Sequence, residues 1–137
     1  MALSADRDTK RKDGSLGSFP VAVSKIYAGD IVMLNSSGYA IPGADTASCM
    51  FAGVATEQVD NSAGSAGDKR ITVHRKGCFL FAIAAAAITD IGKAVYVEDG
   101  GGTVGLVGTT DNDIPCGKIS EYEDATHVWV DIDKEIS

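Results

Sequence analysis

The sequence predicts an all-β protein: a compact β-sandwich or barrel built from two similar β-meanders, with an extended N-terminal arm. The first observation behind this is an internal repeat. Ala28-Gly29-Asp30-Ile31-Val32-Met33-Leu34-Asn35-Ser36-Ser37-Gly38-Tyr39-Ala40-Ile41 is echoed by Ile91-Gly92-Lys93-Ala94-Val95-Tyr96-Val97-Glu98-Asp99-Gly100-Gly101-Gly102-Thr103-Val104. The first copy continues into Phe51-Ala52-Gly53-Val54-Ala55 and Arg70-Ile71-Thr72-Val73-His74. The second continues into Pro115-Cys116-Gly117-Lys118-Ile119 and His127-Val128-Trp129-Val130-Asp131. Composition is the second observation: sixteen glycines beside 7% aromatic residues suit short strands joined by tight turns and disfavour long helices. The third is the alternation of apolar and polar side chains in short runs, the period of a half-buried strand. At 137 residues the chain is expected to form one domain with a real core.

From Met1 to Ser18 the chain is polar and charged with no apolar periodicity, so residues 1–18 are expected to be a flexible arm and residues 19–137 a single β domain. Phe19-Pro20-Val21-Ala22-Val23 reads as extended, because Pro20 biases Phe19 away from helix and lacks the donor a central strand needs. That places it on a sheet edge or against another subunit. Asp30 to Leu34 and Tyr39 to Ile41 make a hairpin around Ser36-Ser37-Gly38. Cys49 to Ala55 is an unbroken apolar run, hence a strand buried on both faces, with Gly53 marking a bulge or a close backbone approach. Asp60 to Asp68 is a loop of small polar residues. It leads into a strand with Ile71 and Val73 inward and Arg70, Thr72 and His74 outward.

Propensity pulls both ways over Cys78 to Ile83. The preferred reading is a strand, followed by a turn or at most one helical turn before Asp90. The second hairpin has its tip at Gly100-Gly101-Gly102. Thr109 to Asp113 is a loop, Cys116 to Tyr122 a strand, and His127 to Ile132 the last strand, with Val128, Val130 and Ile132 on one face and Trp129 on the other. A Trp on the outward face needs a cover. Pro20, Val21, Val23 and Trp129 are therefore the expected oligomer interface.

No catalytic constellation is legible. His74 and His127 are the only histidines, each at an outward strand position at roughly equivalent points of the repeats, with no metal-ligand spacing around them. Cys78 lies four residues from His74; one strand carrying both would separate them by about 13 Å, too far for a dyad. Asp111-Asn112-Asp113 lacks the remaining ligands of a calcium loop, and the glycine triplet lacks the Lys-Ser/Thr ending of a phosphate cradle. No cofactor is expected. Cys49, Cys78 and Cys116 are odd in number and widely spaced, which indicates buried free thiols rather than a disulfide framework.

The net charge of −7 is unevenly placed: Arg7, Lys10, Arg11 and Lys12 crowd the start, and Glu121, Glu123, Asp124, Asp131, Asp133 and Glu135 the end. An acidic body disfavours direct nucleic-acid binding, while the basic cluster can touch an acidic partner. No stretch has the length of a membrane span or the character of a signal peptide, so synthesis in a cytoplasm is expected.

The order of these pieces resembles the small capsid decoration, or cement, proteins of tailed bacteriophages. The matching features are Ile26-Tyr27-Ala28-Gly29-Asp30-Ile31-Val32, Phe51-Ala52-Gly53-Val54-Ala55, Ala66-Gly67-Asp68 and Gly77-Cys78-Phe79. They continue with Asp90-Ile91-Gly92-Lys93-Ala94-Val95-Tyr96-Val97, Cys116-Gly117-Lys118-Ile119 and Val128-Trp129-Val130-Asp131-Ile132. The similarity runs from about residue 20 to the end. It implies a virion structural protein without an active site: a homotrimer on the outer surface of the capsid, made in a bacterial host, that bridges neighbouring copies of the major capsid protein. Within that reading Arg7, Lys10, Arg11, Lys12 and Phe19 are the expected capsid-binding arm. Two other readings stay open. One is a non-viral β module that binds carbohydrate through Tyr39, Tyr96, Tyr122 or Trp129. The other is a trimeric β-fold hydrolase of nucleotides, which the lack of a phosphate or metal motif disfavours.

Overall fold

The computed structural model describes residues 15–99, 102–108 and 110–132. Among the described residues twelve strands and one 3₁₀ turn follow one another: β1 (Leu16–Pro20), β2 (Lys25–Ile26), β3 (Ile31–Leu34), β4 (Ala40–Pro42), β5 (Met50–Ala55), β6 (Val59–Asp60), β7 (Arg70–His74), β8 (Cys78–Ile83), the turn Ile88–Asp90, β9 (Ala94–Asp99), β10 (Thr103–Gly105), β11 (Pro115–Asp124) and β12 (His127–Asp131). The fold is nearly all β. One five-stranded sheet has the order β1-β7-β5-β3-β4, a closed barrel has the order β10-β8-β12-β11-β9, and β2 pairs with β6.

These two assemblies are the same structure twice. Taking β1, β3, β4, β5 and β7 as the counterparts of β8, β9, β10, β11 and β12, the spatial order is identical. The ring of the second closes where Thr103 and Val104 pair in parallel with Ala82 and Ile83. The first closes more sparingly, through a single parallel bridge from Val21 to Ala40. The first sheet thus curls into a barrel of the same order, closed by that one bridge. Even the irregularities repeat. Val32 faces Gly53 and Met33 faces Phe51, so Ala52 is extra; Val95 faces Gly117 and Tyr96 faces Pro115, so Cys116 is extra. Each barrel thus carries a bulge at the same place.

The bulges need glycine for a steric reason. A Cβ on Gly53 would lie 2.2 Å from the carbonyl oxygen of His74, and one on Gly117 2.4 Å from that of Asp131. Backbone at that distance cannot yield. The strand entries match as well: the amide of Gly29 donates to Ala55 O at 2.9 Å, and that of Gly92 to Ile119 O at 2.8 Å.

Alternation fills each barrel from its own strands. Val21, Val32, Ala52, Ile71 and Val73 pack with Ile26, Ala40, Ala55 and Val59 inside the first. In the second, Val95, Val97, Val104, Cys116, Ile119, Val128, Val130 and Phe81 do so, all under 5% exposed. Each fully buried Val or Ile contributes about 1.5–3 kcal/mol of transfer free energy. The outward residues Ile31, Met33, Phe51 and Val54 of the first barrel join the buried cluster of the second, which fuses the two into one core. The adjacent rim is clasped by Asp45, whose carboxylate accepts from the amides of Asp111 at 2.7 Å and Asn112 at 2.9 Å.

Most predicted elements sit where expected: both hairpins, the buried strand β5, the inward Ile71 and Val73, and β8 as a strand followed by a single 3₁₀ turn. Three expectations are corrected. Leu16, Gly17 and Ser18, assigned to the arm, pair with His74, Val73 and Thr72, so the boundary at residue 18 falls inside β1. Cys78 is exposed and Cys49 half-buried, leaving Cys116 as the buried thiol. The histidines are not equivalent: register places Arg70 opposite Pro20 as His127 is opposite Ala82, while His74 opposite Leu16 corresponds to Asp131 opposite Cys78. The short β2–β6 pair was not legible. It is an addition of the first barrel, held by Asn61, whose Nδ2 donates to the carbonyls of Val21, Ala22 and Ser65 at 3.1, 3.1 and 2.9 Å.

Candidate functional site

The expected arm residues Arg7, Lys10, Arg11 and Lys12 lie outside the described residues. Phe19 is a half-buried member of β1 packed against the core of the first barrel, and Pro20 pairs with Arg70. Val21, expected at an oligomer interface, is fully buried inside the first barrel and presents nothing to a partner; its burial follows from alternation with the outward-facing Pro20 and Ala22. Val23 stands 56% exposed just after β1.

Trp129 faces outward as the pattern required, between Leu80 on β8 and Glu121 on β11. Its cover comes partly from its own chain. The indole Nε1 donates to Glu123 Oε1 at 3.1 Å, and the side chain is half-buried. Leu80 beside it remains 45% exposed. The result is an apolar surface with an acidic border on the second barrel.

A second surface lies on the β9 side. Lys93, Ala94, Tyr96, Leu106 and Val107 line a shallow cavity of about 440 Å³. Next to it Ile83, Ala84, Ala85, Glu98, Gly105 and Leu106 line a smaller one of about 110 Å³. Val107 is 75% exposed, and Ile88 and Ile91 on the neighbouring turn are also open to solvent. Apolar surface of this kind, grouped rather than scattered, is suited to protein contact.

The charged groups near these surfaces are structural. Lys93 Nζ donates to Asp90 Oδ1 at 2.8 Å, and the Ala87 amide donates to Asp90 Oδ2 at 2.8 Å. The lysine first and the amide second hold the Asp90 carboxyl below the usual carboxylate range. Asp45 is held low by the amides of Asp111 and Asn112, Asp60 by the hydroxyl and amide of Ser62, and Asp124 by the amide and hydroxyl of Thr126. None of these carboxylates is poised to exchange a proton near neutrality. Each fixes a turn.

The histidines and Cys78 are kept apart by the topology. His74 ends β7 in the first barrel and packs against the ring of Phe79 at 5.5 Å, whereas Cys78 opens β8 in the second. Cys78 Sγ takes a contact of 3.6 Å from the Ser120 hydroxyl. His127 sits at the β11–β12 turn, 3.2 Å from Asp124 Oδ1. Among the described residues no three His, Cys, Asp or Glu side chains are grouped to hold a metal, and no helix is long and apolar enough to cross a membrane.

Sequence reasoning missed the β9-side surface and the Asp45 clasp. The signal for the first was available: aligning the repeats sets Ile31, Met33, Phe51 and Val54 against Ala94, Tyr96, Pro115 and Lys118. The clasp had no such signal, since a lone Asp in a Pro-Gly loop reads as a turn residue. No protein-family model matches the chain, and no curated protein matches it either.

Proposed function

We propose that this chain is a structural protein of a tailed-bacteriophage head, which binds the outer surface of the assembled capsid and reinforces contacts between major capsid subunits. The observation that carries the reading is the role of the residues behind the resemblance. Gly29, Gly53, Gly92 and Gly117 set the strand entries and bulges of a tandem barrel. A motif order built from such positions specifies a scaffold rather than a reaction. Exposed apolar side chains grouped around Leu80 and Trp129 on one side and Tyr96 and Val107 on another supply area for protein contact. Many identical sites on a shell multiply modest contacts through effective concentration. The acidic body keeps the protein off nucleic acid.

The test uses capsids assembled from the major capsid protein of the phage that, on this reading, encodes the chain. Co-sedimentation is expected to saturate at a fixed ratio of this protein to capsid subunit, and the loaded shells are expected to withstand higher temperature and osmotic shock than bare ones. Absence of saturable binding to expanded capsids overturns the reading. A glycan-array signal that is competed by free sugar would instead support the carbohydrate-binding alternative.

A further inference from the structure

We infer that copies of this chain associate head to tail, the β9 face of the second barrel seating on the Met50 end of a neighbouring copy's first barrel, as the first barrel seats on the second within one chain. The argument rests on comparing equivalent positions. Within the chain, the outward face of β3 and β5 supplies Ile31, Met33, Phe51 and Val54, all 4% exposed or less, to the second barrel. The loop after β4 completes the contact: Gly43 lies against Val97, Ala44 bridges to Asp99, and Asp45 clasps Asp111 and Asn112. The receiving end of the second barrel includes Val97 and Ile114, 0% and 4% exposed.

Each of these surfaces has a counterpart in the other barrel, and there it is uncovered. Ala94, Tyr96, Pro115 and Lys118 take the places of Ile31, Met33, Phe51 and Val54; Ala94 and Tyr96 are half-buried and line the 440 Å³ cavity, while Pro115 and Lys118 are exposed. Register fixes the loop as well. Tyr96 faces Gly105 as Met33 faces Ile41, so Val107, two residues on, corresponds to Gly43. On the receiving side Leu34 corresponds to Val97, and Met50, which faces Leu34, corresponds to Ile114, whose carbonyl accepts from Val97. Met50 is 62% exposed where Ile114 is 4% exposed, and Val107 is 75% exposed where its counterpart Gly43 is buried.

Every chain therefore carries an uncovered positional counterpart of each half of an interface it already makes internally. Matching the two halves between copies continues the packing with the same relative placement. The occupant is a second copy of this chain, because its Met50 end holds the position in the first barrel that the Val97 and Ile114 end, which already receives a barrel, holds in the second. Such a contact joins different patches, so it propagates into a closed ring or an open chain.

The experiment uses the purified full chain without capsid, so its outcome is independent of the capsid reading. Met50→Glu removes the receiving end and Val107→Glu the seating face; both side chains are exposed, and circular dichroism checks that the fold is kept. By analytical ultracentrifugation the wild type is expected above two chain masses and each variant alone at one. An equimolar mixture is expected to stop at two, since each variant retains the half that the other lacks. A wild type of one or two chains, a variant at wild-type mass, or a mixture that stays monomeric overturns the inference. If a glutamate variant loses the native spectrum, Met50→Ser and Val107→Ser replace the pair with the same expectations.

Discussion

Asp90 shows how single residues hold this fold together. Its carboxyl is nearly buried, with one oxygen toward Lys93 Nζ and the other toward the Ala87 amide, and it closes the turn that leads into β9. Both partners favour the charged form, so its folded pKa lies below the ordinary aspartate value of 3.8. A group depressed in this way stabilises the folded state fully above its unfolded pKa, and that contribution is lost as the pH falls from 3.8 toward the folded value. Asp45, Asp60 and Asp124 are lowered too and act in the same direction. Asp90→Asn is expected to be less stable than wild type at pH 7, with the gap closing as the pH drops below about 4, as judged by urea denaturation at several pH values. An equal gap at pH 7 and pH 3 would contradict the assignment.

At the scale of the element, the bulge in β5 and β11 is the feature the protein uses twice. It turns the strand so that an inward run of alternating side chains can serve a small closed barrel, and it brings the strand backbone against β7 or β12. The carbonyls of His74 and Asp131 occupy the space a Cβ would need. Gly53→Ala and Gly117→Ala should therefore each cost about 3 kcal/mol or more, at the upper end of overpacking effects, because backbone rather than a flexible side chain must move. Gly38→Ala is the control: nothing lies within 4 Å of its Cβ, and the cost is confined to its positive φ of 88°. Thermal melts of the three variants give the ranking, and parity between Gly117→Ala and Gly38→Ala would show that the close approach is not what the glycine serves.

For the whole molecule, the decisive contact is the one between barrels. Phe51 belongs by sequence to the first barrel but is 4% exposed within the cluster centred on the second. Because neither barrel buries its apolar surface alone, the two should unfold together. Phe51→Ala is expected to lower stability by about 3–5 kcal/mol, the usual cost of truncating a buried Phe. A single transition should be retained, with fluorescence from Trp129 in the second barrel coincident with far-UV circular dichroism. Two separated transitions in the wild type would mean that the barrels are independent domains.

The sequence by itself determined the strand content, the repeat and the inward faces. Short alternating runs bounded by Gly and polar turns are local signals, and Ile71, Val73, Val128 and Val130 all lie where their alternation places them. It also located Gly53 as a bulge or close approach, since a glycine inside an apolar strand has few other meanings. Tertiary structure decided what local patterns do not encode. Leu16 to Ser18 became strand because β7 offers them an edge, although their own composition reads as arm. Asp45 became a clasp only through residues more than sixty positions away. Whether a face such as Ile31, Met33 and Phe51 is core or surface depends on which body packs against it. That is a property of the assembled barrels, which is why equivalent positions on β9 and β11 are uncovered in the same chain.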